Sequence, residues 1–185
     1  MKNSNIFRLA GLLAFLLIGF STLAQKTPPA TVKKDQPAIK KEKQLPPGTY
    51  YIINVESGLA LTPAMASSGQ NVFLQDFTQD GTQRWKCVPN KLQKYKILQN
   101  GMNDLAFQPH PSVKDHTPII SLSDMNSNDQ FRIVWNEAAG YWLIKNQQGN
   151  YLQLYNTSSD KEMRFGSIAG GDKGHLWEFK AVAGN

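Results

Sequence analysis

"GTQRWKCVPN", residues 81–90, is the first of three similar stretches in this chain. The related stretches are "NDQFRIVWN" and "GHLWEFKAV", and each holds an aromatic residue followed by a short apolar run. These aromatic residues, Trp85, Phe131 and Trp177, recur every 46 residues, since 131 − 85 and 177 − 131 both equal 46. Recurrence at a fixed period indicates one structural unit repeated three times.

The start of each unit shows the same period. "TYYIINVESGLAL" begins at Thr49, "KYKILQNGMNDLAF" at Lys94 and "GYWLIKNQQGNYLQL" at Gly140, and their tyrosines at 50, 95 and 141 lie 45 and 46 residues apart. Between these points, short apolar alternations are interrupted by Gly, Asn, Asp and Ser about every 8–12 residues, which is typical of an all-β domain. Outside the first residues of the chain, no stretch has the 3.6-residue apolar period of a helix.

We therefore expect three repeats, 48–93, 94–139 and 140–185, with four strands each. Three units are fewer than the four to eight blades that close a propeller, so a barrel with pseudo-threefold symmetry is the better interpretation. The predicted strands are 49–55, 59–62, 71–76, 83–89, 94–99, 104–108, 117–123, 130–135, 141–146, 150–155, 163–168 and 175–182.

The motif Gln83-Arg84-Trp85 resembles the Gln-x-Trp motif of ricin-type β-trefoil lectin domains. The opening of the first repeat, residues 50–61, is similar to the strand-turn-strand opening of that family's repeats, and the resemblance extends over residues 48–185. In the later repeats the motif changes to Asp129-Gln130-Phe131 and His175-Leu176-Trp177. The resemblance implies a β-trefoil in which the motif aromatics pack in the core and Gln83 fixes the neighbouring loop by hydrogen bonds.

The first 24 residues have the pattern of a secretory signal peptide. Lys2 and Arg8 precede an apolar run over residues 9–20, and small residues at 22 and 24 follow it. The run is shorter than the roughly 20 apolar residues of a membrane span, so we expect cleavage after Ala24 and no stable span afterwards. An uncleaved anchor is the alternative. The expected location is periplasmic, cell-surface or secreted.

Residues 25–47 predict a disordered tether. They contain six lysines and five of the ten prolines, and no aromatic residue. Eight of the 20 basic and two of the 14 acidic residues precede position 48, which leaves twelve of each in the β domain. The domain is thus formally neutral, and the chain's net charge of +6 does not predict a nucleic-acid partner.

No pattern in the sequence indicates an enzyme, a cofactor or a metal. There is neither a Gly-x-Ser-x-Gly elbow nor a glycine-rich phosphate loop. A calcium-like stretch from Asp124 lacks the required glycine and glutamate, and His110 and His116 have no evident third ligand. Cys87 is the only cysteine, so no internal disulfide forms, and we expect it to be a buried apolar side chain.

Sugar-binding members of the ricin-type family have an aspartate after the second strand of an active repeat. In this chain the matching positions are Thr62, Gln108 and Gln153, so no repeat keeps the acid. The family also places an aromatic platform about ten residues before the motif aromatic. That position is Gln75 in the first repeat, and lies near Leu122 and Gly166 in the others.

Amides and displaced aromatic residues nevertheless suggest two sugar-binding sites, because fixed polar groups can bind hydroxyls while a ring packs on a sugar's apolar face. Ordinary exposed loop residues are the alternative interpretation. The expected function is a monomeric, non-catalytic carbohydrate-binding module; the alternative is a protein-interaction module, with an envelope protein as partner, that has lost sugar binding. The candidate residues are Gln153, Tyr155 and Asn156 in the third repeat, and Gln75, Asp76 and Phe77 in the first.

Overall fold

Strands account for nearly all the regular structure in the described part of the chain. In a computed structural model, the described residues are 42–65, 67–100, 105–110, 118–122, 129–157, 160–168 and 173–183, without the side chains of 120–122, 156, 157, 160 and 161. The expected signal peptide and the tether up to residue 41 lie outside them. Residues Lys40–Asn185 form one compact unit. No helix in the described part is long and apolar enough to cross a membrane.

The predicted twelve strands are all present, four in each repeat. A 3₁₀ turn, Gly81–Gln83, precedes the fourth strand. The strands are β1 Gly48–Asn54, β2 Ala60–Pro63, β3 Gln70–Gln75, β4 Arg84–Pro89, β5 Tyr95–Gln99, β6 Leu105–Gln108, β7 Ile119–Leu122, β8 Gln130–Asn136, β9 Tyr141–Lys145, β10 Tyr151–Thr157, β11 Asp160–Gly166 and β12 Trp177–Ala181.

Six of these strands close into an antiparallel barrel. Strand β1 pairs with β4 and β12, β5 with β4 and β8, and β9 with β8 and β12. The remaining six form one hairpin per repeat, β2–β3, β6–β7 and β10–β11. The ring leaves none of its strands with an unpaired edge, and the predicted all-β, threefold architecture is confirmed.

The repeated aromatic residues lie in the barrel core. Trp85, Phe131 and Trp177 are all fully buried and belong to one apolar cluster. The indole Nε1 of Trp85 donates to the Leu61 carbonyl at 2.8 Å, and that of Trp177 donates to the Leu152 carbonyl at 3.0 Å. These bonds satisfy the only polar group of each buried indole.

The strand register corrects one repeat assignment. Tyr50 lies opposite Trp85, and Tyr95 lies opposite Phe131. In the third repeat Trp142, rather than Tyr141, lies opposite the motif aromatic Trp177. Successive side chains of a strand point to opposite faces, so this shift of one residue places Trp142 in the core and leaves Tyr141 37% exposed.

The packed domain begins before Gly48, which corrects the predicted end of the tether. Leu45 is only 4% exposed and belongs to the core cluster. The hydroxyl of Tyr95 donates to the Leu45 carbonyl, and that of Tyr50 to the Pro46 carbonyl, both at 2.7 Å. The average polarity of residues 25–47 concealed one leucine that the barrel can bury.

Candidate functional site

Gln83 organises the loop between β3 and β4. Its side-chain oxygen accepts from the backbone N–H groups of Thr78 and Gln79, at 2.9 and 3.1 Å. Its Nε2 donates to the Asp76 carbonyl at 2.7 Å and to the Thr62 hydroxyl at 3.2 Å. The buried amide therefore ties both ends of the loop to strand β2, and it has no group left for a ligand.

A polar cleft of about 370 Å³ lies beside this loop in the first repeat. Gln75 and Asp76, two of the predicted sugar-binding residues, line it and are exposed. Asp80 also lines it, but its carboxylate accepts hydrogen bonds from Thr78 and Thr82, which hold the pKa of Asp80 below its ordinary value. This cleft offers amide and carboxylate oxygens.

Phe77, the predicted aromatic partner of this first site, lies elsewhere. Its ring packs edge-on against Tyr51, with centroids 5.0 Å apart, and Lys180 Nζ lies 5.0 Å from its centroid. Phe77 belongs to a small apolar cluster on the outer side of β1 and β2 and does not line the cleft. The cleft consequently lacks the ring that the sequence interpretation gave it.

The three positions that match the family's aspartate are all buried. The Thr62 hydroxyl donates to the Ala60 carbonyl at 3.0 Å and accepts from Gln83, which makes it part of the loop scaffold. Gln108 is at the end of β6 in the second repeat. Gln153 differs from these because it lies on a hairpin that carries further polar and aromatic groups.

Two predicted third-repeat residues, Gln153 and Tyr155, lie two apart on β10 and so share one face of the β10–β11 hairpin. The register places Arg164 of β11 opposite Gln153. The guanidinium carbon of Arg164 lies 3.8 Å from the centroid of the Tyr155 ring, which remains 36% exposed. We call this surface the third-repeat patch; it consists of Gln153, Tyr155, Arg164 and Gly166.

Two features of this patch are unusual for an ordinary surface. Arg164 Nε is buried and donates no hydrogen bond within the described structure. At Gly166, a Cβ atom would lie 2.5 Å from Nε2 of Gln153, so the absence of a side chain leaves room for that amide. An aromatic side chain at position 166 would therefore clash with the Gln153 amide in its present position.

Asn156, the third predicted residue of this site, is placed only by its backbone. It belongs to β10 and pairs with Lys161 of β11. Its side chain lies outside the described part of the structure. The structure therefore brings Gln153 and Tyr155 together and adds Arg164 to them.

The predicted strand 163–168 includes Arg164, but the prediction did not set the register of that strand against β10 and so did not place Arg164 beside Gln153. The observed strand begins three residues earlier, at Asp160, where the charged residues "DKE" lack the apolar alternation expected of a strand. Pairing the two strands as a hairpin from Thr157 and Asp160 would have placed Arg164 opposite Gln153. The missing signal was the hairpin register, which outweighs local composition here.

The residue two positions before the core aromatic differs in each repeat and is Gln83, Asp129 or His175. Asp129 is buried in the second repeat and forms a 2.8 Å ion pair with Lys96. His175 is buried in the third repeat, and its Nδ1 has no hydrogen-bond partner in the described structure. No group of three or more His, Cys, Asp or Glu side chains with metal-binding geometry occurs among the described residues.

Known structures share this arrangement of a six-stranded barrel and three hairpins. The designed threefold-symmetric protein ThreeFoil matches with a TM-score of 0.65 and 23% identity, over 73% of this chain and 99% of that one. The chain described above is therefore a β-trefoil. The Rhizoctonia solani agglutinin matches with a TM-score of 0.63 and 15% identity, over 77% of this chain and 100% of that one.

A Polyporus squamosus lectin also matches this β-trefoil, with a TM-score of 0.63, 16% identity, and coverage of 75% of this chain and 50% of that one. The β-trefoil spans between 18% and 50% of this lectin and several other matched structures. The sequence matches neither a protein-family profile nor a curated protein sequence. At these identities the structural likeness establishes the fold, and function must be argued from the residues of the site.

Proposed function

We propose that this β-trefoil is a non-catalytic carbohydrate-binding module that uses the third-repeat patch. The observation that carries the proposal is the convergence of Gln153, Tyr155 and Arg164 on one hairpin face, with a buried guanidinium donor left unpaired. Lectins and agglutinins among the structural neighbours support it.

The chemistry of these three side chains suits a sugar. The Gln153 amide can donate to one hydroxyl and accept from another, and the exposed part of the Tyr155 ring can pack on an apolar sugar face. The Arg164 guanidinium lies against the Tyr155 ring, and the N–H groups of its terminal nitrogens can donate to a ligand oxygen beside that ring. The ring, the amide and the cation would therefore act on one ligand.

The first-repeat cleft would be a weaker second site. Gln75 and Asp76 can bind hydroxyls there, but Phe77 is engaged with Tyr51 and gives no stacking surface. The Asp80 carboxylate already accepts hydrogen bonds from Thr78 and Thr82, which also hold its pKa below the ordinary value, so Asp80 serves to fix the loop. We propose a binding role only, without a cofactor.

Export is part of this proposal and rests on the pattern of residues 1–24. An exported, monomeric module would meet glycans of the envelope or of the surroundings. Mass spectrometry of the mature protein is the direct measurement, and we expect an N-terminus at Gln25. An intact residue 1 on protein from the native host would contradict export by cleavage.

A glycan array tests the binding site. We expect the intact protein to bind, and Gln153→Ala or Tyr155→Ala to weaken binding by about tenfold or more, as one lost hydrogen bond or ring contact predicts. Tyr141→Ala is the matched control, because Tyr141 is 37% exposed against 36% for Tyr155 and lies outside the patch. Equal binding by all the variants would remove this site.

A protein-interaction module is the second candidate function. It is favoured by the burial of the three aspartate-matching positions, none of which offers an exposed acid in the way that the lectin family does. Under this alternative the intact, folded protein would bind no glycan on the array. The array therefore separates the two functions before any partner is sought.

A further inference from the structure

Two cations face each other on the barrel wall. Arg132 of β8 and Lys145 of β9 are directly paired residues in the antiparallel register. Like charges at such positions repel each other and destabilise the sheet. Neither residue forms an ion pair in the described structure, in contrast to Lys96, which pairs with Asp129. An uncompensated pair of this kind suggests that a ligand supplies the missing negative charge.

These two cations line a cleft of about 310 Å³, here called the basic cleft. Its lining contains three basic residues and no acidic one, although the β domain as a whole is formally neutral. The positive charge is therefore local and does not reflect a generally basic surface. The lining residues are Lys94, Gln130, Phe131, Arg132, Lys145, Asn146, Gln147 and Gly149.

Tyr151 connects the basic cleft with the third-repeat patch. Lys145 Nζ lies 4.9 Å from the centroid of the Tyr151 ring. Tyr151 lies opposite Gly166 and two residues before Gln153, on the same face of β10. Two residues of a strand advance about 7 Å, so a ligand longer than one sugar unit can reach from the patch to Lys145.

We propose that the ligand is an acidic glycan whose carboxylate or sulfate group binds between Arg132 and Lys145 while a neighbouring sugar unit occupies the third-repeat patch. This inference rests on the proposed carbohydrate-binding function and names its substrate class. An anion between the two cations would cancel their repulsion. Hydrogen bonds to a charged acceptor are about twice as strong as neutral ones, and arginine can bind a carboxylate or sulfate with two of them.

Paired polymers test the charge requirement. Binding of the full chain is measured by titration calorimetry to dextran and dextran sulfate, and to polygalacturonate and its methyl ester, at one fixed salt concentration. The backbone is the same within each pair, and only the anionic group differs. We expect the full chain to bind at least one acidic polymer about tenfold or more tightly than its neutral partner, and added salt to reduce the difference.

Variants locate the anion. Arg132→Gln combined with Lys145→Gln should abolish the preference for the acidic polymer and leave binding of its neutral partner unchanged. Lys86→Gln, an exposed lysine on β4 outside the cleft, is the control for loss of positive charge and should keep the preference. Thermal unfolding shows whether each variant is folded; we expect the midpoint of the double variant to stay level or rise, because it removes the repulsion.

The outcomes separate the inference from the function it rests on. Equal binding of acidic and neutral polymers, or an equal effect of Lys86→Gln and the double variant, would overturn the acidic-glycan inference while sugar binding stands. Binding of neither polymer, together with a glycan array on which the intact protein binds nothing, would overturn both.

Discussion

At the scale of single residues, Gln83 shows how a short motif fixes a loop. Its amide bonds to two backbone N–H groups, one backbone carbonyl and two hydroxyls, which belong to the loop itself or to the adjoining strand β2. The loop has few apolar residues to bury, so these bonds replace packing as the source of order. Each one is satisfied only while Gln83 remains in place.

Removal of this amide should destabilise the fold. We expect Gln83→Ala to lower the free energy of unfolding by roughly 1–3 kcal/mol, because it leaves two partly buried N–H groups and a partly buried carbonyl without their partner. Urea denaturation followed by tryptophan fluorescence measures the change. Gln44→Ala replaces an exposed glutamine and should change stability by less than about 0.5 kcal/mol. Equal losses in the two variants would contradict the role given to Gln83.

Sequence reasoning was effective where a residue's environment follows from its local pattern. The positions of Trp85 and Gln83 follow from a motif of three letters. Phe77 could not be placed in this way, because it directly follows Asp76 and its ring packs on Tyr51, 26 residues earlier in the chain. Arg164 likewise depends on a cross-strand register that local composition does not specify.

At the scale of strands and repeats, the core shows two ways to fill equivalent space. The first and third repeats pair a leucine carbonyl with a tryptophan indole. The second repeat places Phe107 against Phe131, with ring centroids 5.3 Å apart and both residues fully buried. A larger residue on β6 accompanies a smaller one on β8, which keeps the total volume similar.

This exchange predicts coupling between Phe107 and Phe131. We expect Phe131→Trp alone to destabilise the protein by about 1–3 kcal/mol, because the indole overfills the space beside Phe107. Adding Phe107→Leu should recover part of this loss, since it recreates the leucine–tryptophan pair of the other repeats. A double-mutant cycle of unfolding free energies measures the coupling. Strictly additive effects would show that the two positions do not compensate each other.

The segment before β1 is a second feature of this scale. Leu45 enters the core, Lys43 Nζ lies 3.2 Å from the centroid of the Trp135 ring, and two tyrosine hydroxyls bond to the segment's carbonyl groups. Composition alone assigned these residues to a tether, because lysine and proline dominate their surroundings. The contacts of Leu45 are with core residues from several strands, which come together only in the folded domain.

Leu45 should therefore contribute to stability. We expect Leu45→Ala to lower the free energy of unfolding by about 2–5 kcal/mol, as for other buried leucines. Leu92→Ala is the matched control, since Leu92 is 76% exposed and its truncation should cost little. Chemical denaturation of the full chain gives both values. If Leu45→Ala lowered the free energy of unfolding no more than Leu92→Ala does, the segment before β1 would belong to the tether and not to the packed domain.

At the scale of the whole molecule, the barrel relies on burial, since Cys87 is the chain's only cysteine and no internal disulfide can form. The three repeats close the ring together, which is why the 46-residue period was sufficient to predict the architecture. The period could not specify where function lies, because each repeat has modified the equivalent positions differently. The fold thus follows from what the repeats share, and the candidate site from where they differ.

A buried thiol and two buried phenol groups make the stability of this core sensitive to high pH. Burial raises the pKa of the Cys87 thiol above its ordinary value of 9.0, and burial, followed by the nearby Cys87, raises the pKa values of Tyr50 and Tyr95 above 10.0. All three are neutral in the folded state at pH values where the unfolded chain has begun to ionise. Their contribution to stability is complete below the unfolded values and is lost as the pH rises past them.

We therefore expect the urea midpoint to be level between about pH 7 and 8 and to fall steadily above about pH 9. Cys87→Ala should make the fall shallower near pH 9 and leave the later decrease that arises from the tyrosines. The measurement is urea denaturation across the alkaline range. A midpoint that rose with pH, or an unchanged slope in Cys87→Ala, would contradict this account.

Because the chain has one cysteine and its thiol is buried, alkylation of that thiol can measure how often the barrel opens. Cys87 is fully buried between two paired neighbours, so an alkylating reagent can reach it only when the barrel opens. When the barrel closes faster than the reagent reacts, the labelling rate relative to that of an exposed thiol gives the equilibrium constant for opening. A ligand that holds the barrel closed would slow the same reaction, so affinity for an unlabelled, optically silent sugar can be read from the mass of a single modified sulfur.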